Sequence, residues 1–353
     1  MPSQENKEFK ELLSKASKSK KDGLPFVLYR KPNSKTVNAI FPAKNKVEYT
    51  LDFSKTGFVF SPFDTSKKAL LFLSNEVLKV AYQAENNQVN TKFEPIEKGK
   101  EQHLKLIDDA VSLFTAGPLK KIVLSRKIIT ETKKTDFEIF QLLLNTYPSA
   151  FNYILFHPKL GTWLGATPET LLRLDNSILT TISLAGTLPI VGDKPPDWGS
   201  KELQEQQMVT DYLKEVLSEK ISKSTVTPVT SVKAGKLWHL KSVITGELKR
   251  EISLTDVIEA LHPTPAICGV PKELSKKFIL DNENYDREYY TGFLGELNYN
   301  RGKQTQLFVN LRCMKLDSTK ASIYVGGGVT QQSTAKNEWE ETQHKSRTML
   351  SLL

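Results

Sequence analysis

The chain has 353 residues, of which 39% are hydrophobic and 25% charged, and a net charge of +9. These values suit a soluble globular protein of one large or two smaller domains. No apolar run approaches the ~20 residues that a membrane-spanning helix needs, and the N-terminus, with no apolar core, does not read as a secretory signal.

The first elements in chain order are sparse. Phe9, Leu12, Leu13 and Ala16 fall at helical spacing, with a lysine-rich far side. Pro25–Tyr29, Thr36–Phe41 and Gly57–Phe60 read as strands between polar connections. Ala84–Glu101 reads as a linker or surface loop. Gln102–Phe114 carries Leu104, Ile107, Ala110, Val111 and Phe114 at helical spacing.

From Lys120 onward the pattern is richer. Lys121–Thr130 is β-branched and predicts a strand. Thr135-Asp136 caps a helix through Leu144 that stops before Tyr147-Pro148. Phe151–His157 reads as a strand. Leu171–Leu174 and Ile178–Leu184 read as two more around the turn Asp175-Asn176. A Pro-rich loop, Ile190–Trp198, precedes a long helix, Lys201–Ser222. Leu237–Leu248 reads as a strand pair or hairpin, and Leu254–Leu261 as a helix. Phe278–Tyr290 is polar and Tyr-rich. Gly292–Tyr299, Gln304–Leu316 and Ala321–Val325 read as three strands. The glycine run Gly326–Gly328 then leads to a helix from about Ala335 to Leu353. Strands bunch and helices are intercalated singly, so the pattern predicts a mixed α+β fold with large antiparallel sheets and no doubly wound parallel sheet.

Several side chains could carry chemistry. Glu169 follows Pro168 at the mouth of the apolar run Leu171–Leu174. Burial there raises a carboxyl toward the range of a proton donor near neutrality, whereas a solvated corner leaves it ordinary. Glu205 lies three, four and seven residues before Met208, Val209 and Tyr212, on the apolar stripe of its helix. A carboxylate on that face needs a cationic side chain, the helix dipole or a metal ion, unless the stripe leaves the core there. Glu338, Glu340 and Glu341 open the last helix. Glu341 and Lys345 are spaced as an i,i+4 pair that Met349 and Leu350 draw toward the protein. Gly326–Gly328 reads as a glycine-rich turn that lets backbone approach an anion. Arg312 falls on the strand face opposite Leu307, Val309 and Leu311. Lys121 and Arg126 stand in another strand, where an exposed edge lysine is the ordinary alternative. The generic expectation is a Mg²⁺-dependent enzyme acting on a small anion.

Cys268 and Cys313 are far apart, and the five histidines show no zinc spacing. A reduced, cytoplasmic setting is the expectation. The basic excess comes without a nucleic-acid signature, so no nucleic-acid partner is expected, and the charge fits solubility or anionic substrates.

Nine blocks stand in one order: KIVLSR (Lys121–Arg126), GATPETLL (Gly165–Leu172), ISLAGT (Ile182–Thr187), KELQEQQMVTD (Lys201–Asp211), LHPTPAICGVP (Leu261–Pro271), DREYYTGFLG (Asp286–Gly295), VNLRCMKL (Val309–Leu316), YVGGGV (Tyr324–Val329) and NEWEETQHKSRTM (Asn337–Met349). Together they resemble the chorismate-utilising enzymes, among which isochorismate synthase is the nearest likeness. The resemblance covers about residues 120 to 353. It implies large antiparallel sheets packed face to face with helices outside. Residues 1–100 would be the variable N-terminal part of the same domain, and 101–353 the chorismate-binding catalytic region.

The resemblance also implies an isomerase that converts chorismate to isochorismate, feeding menaquinone or siderophore synthesis. Lys121 would be the base that activates water for attack at C2, and Glu169 the acid for the departing C4 hydroxyl. Glu205 and Glu341, with Glu338 nearby, would hold Mg²⁺. Arg312, Lys345, Tyr290 and Gly326, Gly327 and Gly328 would bind the enolpyruvyl carboxylate. Ala185, Gly186, Thr187, His262 and Ala266 belong to matching substrate-side blocks. A monomer is expected, with neither nucleic acid nor membrane as partner. Two departures bear on subtype: Gln206 follows Glu205 where a histidine is frequent, and Leu188-Pro189-Ile190 replaces an arginine-glycine pair. Salicylate synthase and a non-catalytic chorismate-binding member are the alternatives.

Overall fold

The computed structural model describes residues 4–43, 46–74, 77–85, 94–191, 194–234 and 237–353. Its first part runs α1 (Gln4–Lys21), β1 (Phe26–Arg30), β2 (Thr36–Ile40), β3 (Val47–Thr50), β4 (Gly57–Ser61), β5 (Ala69–Leu73), β6 (Leu78–Ala81) and α2 (Lys100–Ala116). Then come β7 (Lys121–Glu131), α3 (Asp136–Thr146), β8 (Phe151–His157), β9 (Gly161–Thr167), β10 (Thr170–Asp175), β11 (Ile178–Pro189) and α4 (Ser200–Leu217). The rest is β12 (Ile221–Val226), β13 (Thr230–Ala234), β14 (Leu237–Leu248), α5 (Leu254–Leu261), β15 (Gly269–Val270), α6 (Lys272–Asn282), β16 (Phe293–Asn298), α7 (Tyr299–Gly302), β17 (Gln304–Val309), β18 (Cys313–Asp317), β19 (Lys320–Thr330) and α8 (Ala335–Leu350).

The strands form two sheets. One has nine strands in the order β15-β7-β19-β18-β9-β8-β1-β2-β6; the other has ten in the order β12-β14-β11-β10-β17-β16-β4-β5-β3, with β13 also on β14. Every pairing among the described residues is antiparallel. The fold is thus α+β with large antiparallel sheets, as the sequence pattern predicts.

Strands buried on both faces read as continuous apolar runs, and β1, β4 and β5 do so because a layer covers each side. The inner layer between the sheets is aromatic: Phe60, Phe151, Tyr153, Trp163 and Phe308 pack together. The rings of Phe151 and Phe308, one from each sheet, lie 4.3 Å apart. Burying each such ring contributes about 1.5–3 kcal/mol. Outside the nine-stranded sheet, Phe9, Phe140 and Met349 bring in α1, α3 and α8. Outside the ten-stranded sheet, Val209, Leu213 and Ile258 bring in α4 and α5. The first hundred residues supply three strands to each sheet.

Local signals hold where they are strongest. Thr135 and Glu138 form a reciprocal capping box on α3, and Ser253 and Asp256 another on α5. Asn176, at φ 56°, sits in the expected turn between β10 and β11. Part of the expected Ala84–Glu101 connection, and of the Pro-rich loop, lies outside the described residues.

Five expectations are corrected. The long helix stops at Leu217, and Ile221-Ser222 start β12 on the sheet edge. Leu237–Leu248 is one strand, because Gly246 serves as a close approach and not as a turn: a Cβ there would lie 2.6 Å from Ile221 Cδ1. The polar Phe278–Tyr290 stretch begins inside a helix, α6, which extends from Lys272. Gln304–Leu316 is two strands in different sheets, with the chain crossing over at Asn310–Arg312. Asn310 holds that corner: its amide nitrogen donates to Tyr289 O at 2.9 Å, and its carbonyl accepts from the Tyr153 hydroxyl at 2.7 Å. Gly326–Gly328 is not a turn but part of β19, in register with Ser125, Leu124 and Val123 of β7.

Candidate active site

The glycine stretch of β19 is the floor of a cavity of about 80 Å³ between the two sheets. Lys121 enters from β7, Ala185 to Thr187 from β11, and Glu205 from the first turns of α4. Glu338, Glu341 and Lys345 come from α8, Ala266 and Tyr290 from connections, and Arg312 from the crossover between sheets. Of the residues anticipated from sequence, Glu169, Ala185, Gly186, Thr187, Glu205, Ala266, Tyr290, Arg312, Gly326, Gly327, Gly328 and Lys345 line the cavity directly. Lys121 is fully buried just behind Gly328.

Why glycine is needed in the floor follows from distance. A Cβ on Gly328 would stand 2.5 Å from Glu205 Oε1 and 3.0 Å from Lys121 Cε. A Cβ on Gly327 would stand 3.2 Å from both Glu338 Oε2 and Glu341 Oε1. The strand therefore stays bare so that a lysine and three carboxylates can converge over it. Gly186 has a different reason. Its φ of 69° makes the bulge between Ala185 and Thr187, and its carbonyl contacts His239 Nδ1 at 3.1 Å.

Three lysine–glutamate pairs cross the site. Lys121 Nζ is 2.9 Å from Glu205 Oε1, Lys201 Nζ is 2.6 Å from Glu338 Oε1, and Lys345 Nζ is 2.6 Å from Glu341 Oε1. Lys345 also donates to Gly326 O at 3.0 Å. Burial opposes ionisation of Glu205, but Lys121, Lys345 and Lys201 outweigh it and hold the carboxyl below its ordinary range. Burial raises Glu338, and the like charge of Glu341 raises it further, with Lys201 as the offset. At its current size the cavity is below the roughly 300 Å³ of small-ligand sites.

Glu169 differs from these. It is buried in the connection that carries the chain from β9 to β10, and burial lifts its carboxyl to about 7 despite the opposing pull of Lys121, Lys345 and Arg312. No hydrogen bond reaches that carboxyl among the described residues, so it is free to give its proton to a ligand. Arg312 departs from the strand reading: it turns at φ 47° on the crossover and donates to Thr348 Oγ1 at 2.9 Å. Burial lowers its guanidinium from the ordinary arginine value.

His262 falls outside this constellation. It is buried against Phe293, with Nε2 3.3 Å from Pro62 O, so its place is structural. Sequence reasoning missed Lys201 and His239. Lys201 was quoted only as the start of a block, and its i,i+4 spacing to Glu205 was the available signal. His239, on the cavity wall, is kept neutral down to about 3 by burial and by Arg312 and Lys345. Its only sequence signal was a histidine inside an apolar strand.

The three glutamates can be tested against the Mg²⁺ that the resemblance implies. Glu338 is 1% exposed, and its Oε2 is buried without a hydrogen-bond partner among the described residues. Oxygen-only donors suit a hard divalent cation, with a substrate completing the shell. Among the described residues no three His, Cys, Asp or Glu are already gathered into a complete metal cluster. The residues fit a cation that draws the carboxylates from their lysines.

A family model described as chorismate binding enzyme matches residues 24–351. The chain is 29% identical to isochorismate synthase DhbC of Bacillus subtilis over 82% of its own length and 78% of the relative's. It is 29% identical to isochorismate synthase EntC of Escherichia coli over 70% of its own length and 66% of that relative's. The fold superposes on the crystal structure of a putative 2,3-dihydroxybenzoate-specific isochorismate synthase, DhbC, from Bacillus anthracis, with a TM-score of 0.80, 23% identity and coverage of 92% and 95% of the two chains. A match over nearly the whole length, on a fold whose sheets converge on a buried pocket, makes the chain a member of the chorismate binding enzymes.

Proposed function

We propose that this protein is an isochorismate synthase, an isomerase that moves the ring hydroxyl of chorismate from C4 to C2. The observation that carries the reading is a pair: Glu169, on the connection from β9 to β10 and lifted to about 7, lines the cavity, and Lys121 of β7 is buried just behind its Gly328 floor. Exchange of hydroxyls across a ring needs an acid and a base on opposite sides. Lys121, as the neutral amine, takes a proton from water as the water oxygen bonds to C2. The ring double bonds shift, the C4–O bond breaks, and Glu169 gives its proton to the departing hydroxyl, which leaves as water. One water enters and one departs, so the product is an isomer.

Chorismate is a dianion, and its desolvation must be offset by fixed cations. Lys345 and Arg312, beside the bare strand Gly326–Gly328, suit the enolpyruvyl carboxylate, and the Tyr290 hydroxyl faces Gly326. Glu205, Glu341 and Glu338 would hold Mg²⁺, which when bound offsets the charge of the ring carboxylate. Isochorismate made here would feed menaquinone or siderophore synthesis in the cytoplasm. No helix among the described residues is long and apolar enough to cross a membrane. Incubation with chorismate and Mg²⁺, followed by chromatography, tests the reading: isochorismate should accumulate to an equilibrium mixture. Unchanged chorismate across the pH range would sink it, and fluorescent salicylate as sole product would assign salicylate synthase chemistry instead.

A further inference from the structure

A second and larger cavity, about 490 Å³, opens where β7 loses its neighbour. The strand β15 covers only Lys121 and Ile122, so β7 beyond Val123 is a free edge on that side. The cavity lies between that edge, the start of α2 and the chain that leaves α6. None of it belongs to the pocket described above.

Its wall is cationic. Arg126 is 7% exposed, and both of its terminal nitrogens are buried without a hydrogen-bond partner among the described residues. Only Nε is used, donating to Thr342 Oγ1 at 2.9 Å, while the guanidinium stacks 4.0 Å from the Trp339 ring centre. Two orphaned donors on a buried arginine cost free energy unless something accepts from them. Lys98, Lys105 and Lys127 stand on the same wall. So do Gly99 and Gln102 at the start of α2, which has no side-chain cap. Two carboxylates line the cavity, and a third, Glu97, acts on Arg126 from nearby while paired with Lys100 at 2.7 Å. Glu283 is already neutralised, since Arg287 donates to both of its oxygens at 2.6 and 2.7 Å and Ser125 donates to one. Asp109 is the other, against four cations.

We propose that this cavity is a binding site for a small oxyanion, phosphate or carboxylate, gripped by Arg126 and ringed by Lys98, Lys105 and Lys127. The planar two-donor end of arginine matches either group. The volume is in the range that takes a whole metabolite. Its position gives the site a route to the catalytic pocket, because Thr342 and Trp339 stand on the same helix as Glu338, Glu341 and Lys345.

The test is titration calorimetry of the full chain with inorganic phosphate and, separately, with malonate at constant ionic strength. Saturable one-to-one binding is expected for at least one probe, and the stronger probe names the group. Arg126→Met should weaken it about tenfold or more, and Lys105→Gln with Lys127→Gln, two exposed positions, should weaken it similarly without affecting folding. If Arg126→Met fails to fold, the double lysine variant decides. Lys345→Gln, in the catalytic pocket, should leave the binding unchanged. Failure of both probes to saturate, equal affinity in the lysine variant, or loss of binding only in Lys345→Gln would each overturn the site. None of these outcomes depends on whether chorismate is turned over.

Discussion

Lys121 and Glu205 meet at 2.9 Å behind a residue with no side chain, Gly328 of the neighbouring strand. The lysine is fully buried, and among the described residues its nitrogen has no further hydrogen-bond partner, so this carboxylate is its closest polar contact. Gly328→Ala would drive a methyl into the pair. We expect the isomerase rate to drop by about ten- to a hundredfold, since small misplacements at a reacting centre cost that much. Circular dichroism should show an intact fold.

Glu169 sets the pH response. Its value of about 7 is raised from an ordinary 4.5, so the proton-donating form is lost as pH rises through about 7. The rate on chorismate should fall on that alkaline side. Glu169→Gln should cost about a hundredfold or more and remove that limb. Stability should move oppositely. A raised carboxyl contributes its full stability below 4.5 and loses it as pH rises to about 7. Urea unfolding at pH 8 should therefore find Glu169→Gln about 2–4 kcal/mol more stable than the parent, with little difference at pH 4. An equal difference at both pH values would remove the burial argument.

The glutamates of α4 and α8 predict the response to metal. Chelation should abolish turnover and Mg²⁺ should restore it. Glu341→Gln and Glu338→Gln should each raise the Mg²⁺ needed for half activity by about tenfold or more. Lys201→Met leaves Glu338 beside the like charge of Glu341 without its own cation, while Glu341 keeps Lys345. That variant should melt earlier than the parent in chelator and gain more than the parent from added Mg²⁺ in a thermal shift assay.

Behind the pocket, Glu283 and Arg287 form a buried pair with side chains 1% and 2% exposed. Arg287 also donates to Val123 O at 2.7 Å and Ile267 O at 3.2 Å, two residues of the cavity wall. Glu283→Gln strands the guanidinium in a dry site. It should cost about 3–5 kcal/mol in chemical denaturation. The same variant should raise KM more than it lowers kcat, because the wall shifts and the acid does not.

The chain itself disclosed its local structure well. The cap at Thr135, the turn at Asn176 and the apolar run Phe151–His157 depend on neighbours in sequence, so they could be read directly. What could not be read depends on distant partners. Gly326–Gly328 looks like a turn until Ser125, Leu124 and Val123 pair with it. Gln304–Leu316 looks like one strand until Asn310 finds Tyr153 and Tyr289. The site shows the same division. The inward face of Glu205 was legible from helical spacing, but the contact of Lys201 with Glu338 joins two helices 137 residues apart in sequence. The roles of Lys121 and Glu169 came from resemblance, because spacing alone does not tell an acid from a corner residue.

The crossover at Asn310–Arg312 has a consequence for tolerance to change. Arg312 is carried by neither sheet alone; it is fixed by the spacing between them, which the rings of Phe151 and Phe308 maintain. Neither ring touches the cavity, yet trimming either would let one wall slide over the other and carry Arg312 away from Lys345. The width of the pocket is thus set from inside the sandwich. Substitutions among residues with no polar group should narrow or widen the range of anions accepted long before they unfold the chain.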